Sequence, residues 1–209
     1  KEAVNAQPLP STTVPVDERI ALLRPLAESG RADAMLALGR ALLDCRLVAH
    51  ASDEAIRDRQ IDGLLKAQQM NPNALNDDVL KTMIDGTTRR YIALRDHCTN
   101  VDPAEISSWL EWIDRAAEAG DLMAAFDYVT LAVGAESSLE GEKPTVSLEE
   151  VARRKARGSE LLRDLLDRGE CDVLPTLVGA YAGAVASPLA VESEPDPAKA
   201  YAFMQALLL

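Results

Sequence analysis

Two cysteine–histidine pairs could support several different kinds of chemistry. Cys45 lies five residues before His50, and His97 directly precedes Cys98. Thiolate and imidazole groups together can ligate zinc, and a cysteine beside a histidine can act as a nucleophile. Two cysteines can also form a disulfide. The alternatives are therefore a metal-dependent hydrolase, a cysteine-dependent hydrolase and a structural bridge.

The residues around these pairs disfavour the metal site and the nucleophilic site. Adjacent His97 and Cys98 would point in different directions on a helix, which disfavours a Cys₂His₂ zinc site. No oxyanion or glycine-loop signature accompanies the cysteines, as nucleophilic catalysis would require. A Cys45–Cys98 bridge would close a loop of just over 50 residues and stabilise the fold by about 4 kcal/mol. Two unpaired buried thiols fit the sequence equally well, and Cys171 is expected to be a lone buried thiol.

Other polar and aromatic residues have ordinary structural explanations. The acidic pairs Asp77–Asp78 and Glu149–Glu150 lie at predicted helix N-termini, where the helix dipole favours carboxylates. Trp109 and Trp112 are expected in the core rather than in a ligand groove. The chain contains no glycine-rich phosphate loop and no serine-hydrolase elbow. We therefore expect no catalytic residue, no metal and no cofactor.

The elements that carry these residues repeat one motif, in which a helix ends near a glycine and a second helix follows at once. The motif occurs at Gly30, Gly120 and Gly169. A glycine can adopt the left-handed conformation that closes the first helix. The fourth residue after each glycine is small or short, which allows close helix packing, as at Ala34, Ala124 and Val173. Repeated helix pairs predict an α-solenoid.

This motif resembles the Sel1-like repeat, a relative of the tetratricopeptide repeat, in which Ala-Ala-Glu-x-Gly precedes a helix with small residues and Leu-Gly. The match is best at Leu26–Leu42, then at Trp112–Val133, and weaker at Leu162–Tyr181; together these cover about half of the chain. The resemblance implies a right-handed superhelix of antiparallel helix pairs and an adaptor role in a bacterial protein. Such repeats rarely carry catalysis.

The predicted organisation is an N-terminal tether followed by a single irregular α-solenoid domain. Residues 1–15 contain three prolines and are expected to be extended. The motif glycines are 90 and then 49 residues apart, so extra segments must separate the repeats. The domain, 16–209, is divided into repeat one (16–50), a helical insertion (52–98), repeat two (102–135), repeat three (147–187), and a partial fourth repeat or cap (196–209).

Helix starts are predicted from capping residues. The expected caps are Asp17, Ser52, Asp102, Ser147 and Asp196. Glu105 and Glu150 stand three residues after their caps and are expected to bond back to the cap amide. Glu149 with Arg153, and Glu150 with Arg154, are predicted i,i+4 ion pairs.

Composition limits the partners of the chain. Its 209 residues are 47% apolar but only 4% aromatic, which suits closely packed helices, and its formal net charge is −12. That charge would repel a phosphate backbone, so a nucleic acid is disfavoured and a basic protein or peptide is favoured. No run of 18 apolar residues is present, so no transmembrane segment is expected.

The function that these observations favour is a non-catalytic protein–protein interaction scaffold or adaptor of the bacterial envelope. Its concave, largely acidic groove is expected to include Asp33, Arg40, Asp127 and Tyr128. The alternatives are the hydrolase built on Cys45, His50, His97 and Cys98, and an inhibitor or immunity-type binding protein. The start at Lys1, the proline-rich tether and the possible bridge favour a periplasmic or secreted protein, with the cytoplasm as the alternative.

Overall fold

The regular secondary structure of the described residues is entirely helical. A computed structural model describes residues 7–70, 76–132, 146–170, 174–181 and 196–206. These ranges contain no β-strand, which confirms the all-α prediction, and no helix with both the length and the apolar composition that crossing a bilayer requires. The helices are α1 (Val16–Glu28), α2 (Ala32–Val48), α3 (Asp53–Met70), α4 (Asp77–Cys98), α5 (Pro103–Ser107), α6 (Trp109–Glu118), α7 (Leu122–Leu131), α8 (Leu148–Asp167), α9 (Leu174–Tyr181) and α10 (Pro197–Ala206).

Four of the predicted capping side chains fix helix starts. Ser52, Asp102, Ser147 and Asp196 each accept a backbone N–H from a residue two or three positions later, at 2.8–3.1 Å. Each bond satisfies one of the amide groups that the first helical turn leaves without a partner. The starts of α3, α5, α8 and α10 were therefore predictable from local sequence.

Two acidic residues do not take their predicted capping roles. The N-cap of α1 is Pro15, so Asp17 lies inside the first turn, and its carboxylate accepts a hydrogen bond from the Asn100 side chain at 2.9 Å. The Glu105 carboxylate, expected at the cap amide of α5, pairs with Arg24 of α1 instead. In both cases a hydrogen-bond donor from a distant part of the sequence binds the carboxylate in place of the local backbone amide.

The three motif glycines lie where the repeat predicts them, directly after a helix. Gly30, Gly120 and Gly169 have positive φ angles of 93°, 92° and 78°. At each turn the glycine N–H bonds the carbonyl three residues back, and the following N–H bonds the carbonyl five residues back from itself. This pair of bonds closes a helix in the Schellman manner. The repeated motif therefore corresponds to a repeated turn.

Helix α2 is at the centre of the core, because it packs against α1, α4, α5 and α6. Its buried face includes Ala34, Leu38, Ala41 and Leu42. Gly39 faces α6 so closely that an added Cβ would lie 2.6 Å from Ile113 Cγ1 and 2.9 Å from the Trp109 carbonyl oxygen. The missing side chain at Gly39 thus sets the approach of α2 to α6.

The core continues along the chain beyond α6. Helix α7 packs against α6, and α8 packs against α7. Trp109 is buried, as expected, whereas Trp112 is half-buried with the Arg115 guanidinium 4.2 Å from its ring centre. The same apolar cluster extends into α8 and α9 through Leu161, Leu165, Leu174 and Leu177.

The insertion folds back onto the first helices. Helix α3 packs on α4, and α4 packs on both α1 and α2. Arg95 of α4 donates to the Ala51 carbonyl at 3.1 Å and to Asp53 at 2.5 Å, which ties the end of α4 to the start of α3. The third cysteine, Cys171, lies outside the described residues.

The end of the N-terminal segment contacts the helical core. Residues 7–15 are not helical. The Leu9 side chain packs against the core cluster, and Arg31 donates a hydrogen bond to the Gln7 carbonyl. Residues 1–6 of the predicted tether lie outside the described residues.

Candidate functional site

The structure brings Cys45 and Cys98 together. Their Sγ atoms are 2.09 Å apart and their Cα atoms 5.2 Å apart, which is a disulfide pairing between α2 and α4. Both cysteines are buried. Their contact follows from the packing of α4 on α2, so the predicted bridge has the geometry that it needs.

The histidines do not complete a metal or nucleophilic site. The Nδ1 atom of His97 lies 3.1 Å from Asp17 at the start of α1, and His50 is exposed just after the end of α2. Within the described residues, no group of three or more His, Cys, Asp or Glu side chains could hold a metal ion. The two sulfurs that a hydrolase would use are bonded to each other.

The four predicted groove residues do not form one site. Arg40 of α2 and Asp127 of α7 are 2.5 Å apart, and this contact raises the pKa of Arg40. Asp127 is only 8% exposed, so its ion pair lies at a partly buried junction of α2 and α7. Asp33 instead forms an exposed pair with Arg31, through bonds of 2.7 and 2.8 Å. Tyr128 lies on α7 beside Asp127 but lines a different surface.

That surface is an open cleft of about 370 Å³ between α5–α6, α7 and α8. Its α5–α6 wall consists of Ser107, Ser108, Leu110, Glu111 and Asp114. Tyr128 forms the α7 side, and the wall from α8 consists of Glu150, Arg153 and Arg154. Its volume falls within the range of about 300–1,000 Å³ that is typical of ligand sites. The cleft is thus a concave site with charged groups on opposite walls.

Helix α8 is positioned by its arginines. Arg154 donates to the Ala132 carbonyl just after α7 at 3.0 Å, and Arg157 donates to Asp114 of α6 at 2.8 Å. These contacts hold the α8 wall against both of its neighbours. Because Arg154 and Arg157 are one turn apart on α8, the same helix face serves both contacts.

Glu150 is held by two arginines of its own helix. Arg153 bonds both carboxylate oxygens at 2.7 and 2.8 Å, and Arg154 bonds one at 2.7 Å. The Arg153 contact, with help from Arg154, lowers the pKa of Glu150 to about 2. The predicted pair of Glu150 with Arg154 is confirmed, whereas Arg153 pairs with Glu150 and not with Glu149. The bidentate contact with Arg153 also explains why Glu150 does not bond the cap amide.

Replacement of Glu150 by Gln is expected to destabilise the protein by about 1 kcal/mol at neutral pH. The folded-state pKa of Glu150 is about 2, below its ordinary value of 4.5, so its charged form adds stability that is complete above pH 4.5. This contribution is lost as the pH falls from about 4.5 towards 2. Urea unfolding of both proteins across this range should show the difference shrinking. The exposed neighbour change Glu149→Gln, which removes no described ion pair, should cost less stability at neutral pH. A difference at pH 2 as large as at neutral pH would contradict the prediction.

The hydroxyl groups of the cleft differ in their hydrogen bonding. Ser107 and Ser108 donate to carbonyls of α5, at 2.9 and 2.7 Å. Tyr128 is 1% exposed, and its hydroxyl has no hydrogen-bond partner among the described residues. Burial, followed by the negative charge of Asp114, raises the pKa of Tyr128 to about 12. At neutral pH the Tyr128 hydroxyl is therefore a protonated donor that lines the cleft.

Glu111 is a candidate functional residue that sequence analysis missed. It is exposed on the cleft wall, and no described cation lies within ion-pair distance of it. The other lining carboxylates, Asp114 and Glu150, are both paired with arginines of α8. The only signal in the sequence was the position of Glu111 between two tryptophans on an amphipathic helix, which does not show which helix lies opposite.

The sequence matches no family model, and comparisons with curated proteins and with solved structures find no significant match. The resemblance to Sel1-like repeats therefore remains a prediction based on the repeated glycine motif.

Proposed function

We propose that this chain is a non-catalytic protein-interaction module that binds a basic segment of a partner protein in the cleft between α5–α6, α7 and α8. We further propose that its helix pairs are antiparallel and stack as an irregular right-handed α-solenoid of the Sel1-like type. The recurrence of one glycine turn at Gly30, Gly120 and Gly169 supports the proposed repeat.

The observation that carries the proposed function is the Glu111 carboxylate, which has no ion-pair partner among the described residues. Around it, Asp114 is 2.8 Å from Arg157, and Glu150 is 2.7 Å from both Arg153 and Arg154. A cation that enters the cleft would meet one carboxylate without having to displace an existing ion pair. A lysine or arginine side chain of a partner has the required charge and reach.

The overall charge supports the same type of partner. With a formal net charge of −12, the chain attracts basic surfaces over a distance and repels nucleic acids. Electrostatic attraction mainly accelerates encounter, while contacts within the cleft determine specificity. A basic segment is thus favoured both at long range and at Glu111.

A periplasmic or secreted location is part of the proposal. The pairing of Cys45 with Cys98 supports it, because disulfides persist in oxidising compartments. The same pairing removes both thiols from the alternative hydrolase, so no observation favours that alternative.

The experiment is a selection of random twelve-residue peptides on the immobilised protein, followed by affinity measurements on the enriched peptides. We expect enrichment of Lys and Arg, and a loss of affinity of about fivefold in Glu111→Gln. Raising the salt concentration should weaken binding to the wild type more than to this variant.

The matched control is Glu28→Gln, which removes an exposed carboxylate at the end of α1, outside the cleft. Its affinity for the same peptides should equal that of the wild type. Enrichment of peptides without basic residues, or an equal loss in both variants, would contradict the proposed function.

A further inference from the structure

Tyr128 has a buried aromatic ring and a hydroxyl group without a partner. The side chain is 1% exposed, lines the cleft, and forms no hydrogen bond with the described residues. Among the described residues, the only fully buried side-chain oxygens without a hydrogen-bond partner belong to Asp17 and Thr88. The Tyr128 hydroxyl is therefore open to the cleft, where it can donate a hydrogen bond to water or to a ligand.

The charged groups that act most strongly on Tyr128 form no hydrogen bond with its hydroxyl. Arg153, Arg154 and Arg157 influence its ionisation by their positive charge, but guanidinium groups can only donate hydrogen bonds. The Asp114 carboxylate acts on Tyr128 through its charge and is bonded to Arg157 at 2.8 Å. A ligand in the cleft can therefore supply an acceptor for the Tyr128 hydroxyl in place of water.

A neutral acceptor suits this position better than an anion. Arg153 and Arg154 already share Glu150 as their counter-ion, and Arg157 has Asp114. An anion beside Tyr128 would compete with these carboxylates for the same arginines. A carbonyl oxygen would accept from the Tyr128 hydroxyl without disturbing the ion pairs.

We infer that the cleft binds a stretch of polypeptide main chain, with a peptide carbonyl oxygen accepting a hydrogen bond from Tyr128 and a lysine or arginine of the same stretch pairing with Glu111. This inference rests on the proposed function and extends it, because recognition of the main chain is added to recognition of charge. A free cation can satisfy Glu111 only, whereas a basic peptide satisfies both groups.

The test compares two probes that differ in their carbonyl groups. Acetyl-Gly-Arg-Gly-amide carries a guanidinium group and peptide carbonyls, and n-butylguanidinium carries the cation alone. Binding is followed by NMR of tyrosine rings labelled with ¹³C, and the Tyr128 signal is assigned by its absence in Tyr128→Phe. This variant keeps the buried ring and removes only the hydroxyl.

We expect the tripeptide to shift the Tyr128 ring signal and to bind the wild type more tightly than n-butylguanidinium does. Tyr128→Phe should weaken tripeptide binding by about threefold to tenfold and leave n-butylguanidinium binding unchanged. The matched control is Tyr201→Phe on α10, where the residue is 59% exposed and lies outside the cleft lining. It should bind both probes like the wild type.

The outcomes separate the two proposals. The main-chain inference is wrong if Tyr128→Phe binds the tripeptide as tightly as the wild type does. It is also wrong if this substitution lowers the affinity for both probes equally. In that case a loss of binding in Glu111→Gln would still support the proposed function. If Glu111→Gln binds both probes like the wild type, while Tyr128→Phe binds the tripeptide more weakly, Glu111 does not recognise the charge of the ligand. The proposed function is then wrong, and so is the pairing of a basic side chain with Glu111 in the inference. Thermal unfolding of each variant shows whether a lost affinity reflects a lost fold.

Discussion

Replacement of Gly39 by Val is expected to destabilise the protein by about 3 kcal/mol. A Cβ at this position would lie 2.6 Å from Ile113 Cγ1, 2.9 Å from the Trp109 carbonyl oxygen and 3.2 Å from the Ile113 nitrogen. Two of these three atoms belong to the backbone, so a side-chain rotation in α6 cannot relieve the clash. Helices α2 and α6 would have to move apart, and the apolar contacts between them would be lost. Urea unfolding measures the change directly.

The matched controls are Gly63→Val in α3 and Gly86→Val in α4. Among the described residues, no atom beyond the adjacent residues and the nearby backbone of the same helix lies within 4 Å of the Cβ that either change would introduce. All three glycines are within helices, so the intrinsic helix propensity changes equally, by less than about 0.5 kcal/mol. We expect both controls to unfold at nearly the wild-type urea concentration. A Gly39→Val protein as stable as the controls would mean that α2 and α6 do not pack as closely as described.

Features that depend on neighbouring residues were predictable from the sequence. The positive φ of Gly30, Gly120 and Gly169 follows from helix ends that only glycine closes without strain. The caps Asp102 and Ser147 follow from side chains that accept amide protons two or three residues later. Each of these turns and caps is determined by fewer than ten consecutive residues.

Predictions failed where a distant residue competes for the same group. Asp17 has a good local sequence for capping α1, but Asn100 reaches it from beyond the end of α4. Glu105 fits a capping box, but Arg24 pairs with it from α1. In each case a donor from another part of the chain binds the carboxylate, so tertiary packing overrides the local preference. The sequence does not show which helices will meet.

The candidate site illustrates the same limit. Tyr128 was predicted to contact a ligand beside Asp33 and Arg40, but it lines a cleft with Glu111 and Arg153. The cleft exists because α8 packs against α7, and its arginines reach α6. The helix pattern predicted each of these elements but not their mutual arrangement. Of the residues that line the cleft, the sequence analysis therefore proposed only Tyr128 as a groove residue.

Reduction of the Cys45–Cys98 disulfide is expected to lower the free energy of unfolding by about 4 kcal/mol. The two cysteines are 53 residues apart in sequence, so the bridge restricts a long loop of the unfolded chain. In the chain-entropy treatment, a loop of this length loses enough conformational freedom to account for that value. Urea unfolding with and without reductant measures the difference.

The control for this prediction is the double variant Cys45→Ala/Cys98→Ala. Because it cannot form the bridge, its stability should not depend on the reductant, and it should resemble the reduced wild type apart from the small loss of the buried sulfur atoms. The chain contains three cysteines, so titration in denaturant should find one free thiol before reduction and three afterwards. Three free thiols in the unreduced protein would refute the pairing. Equal stability with and without reductant would show instead that the packing of α4 on α1 and α2 holds the insertion without the bridge.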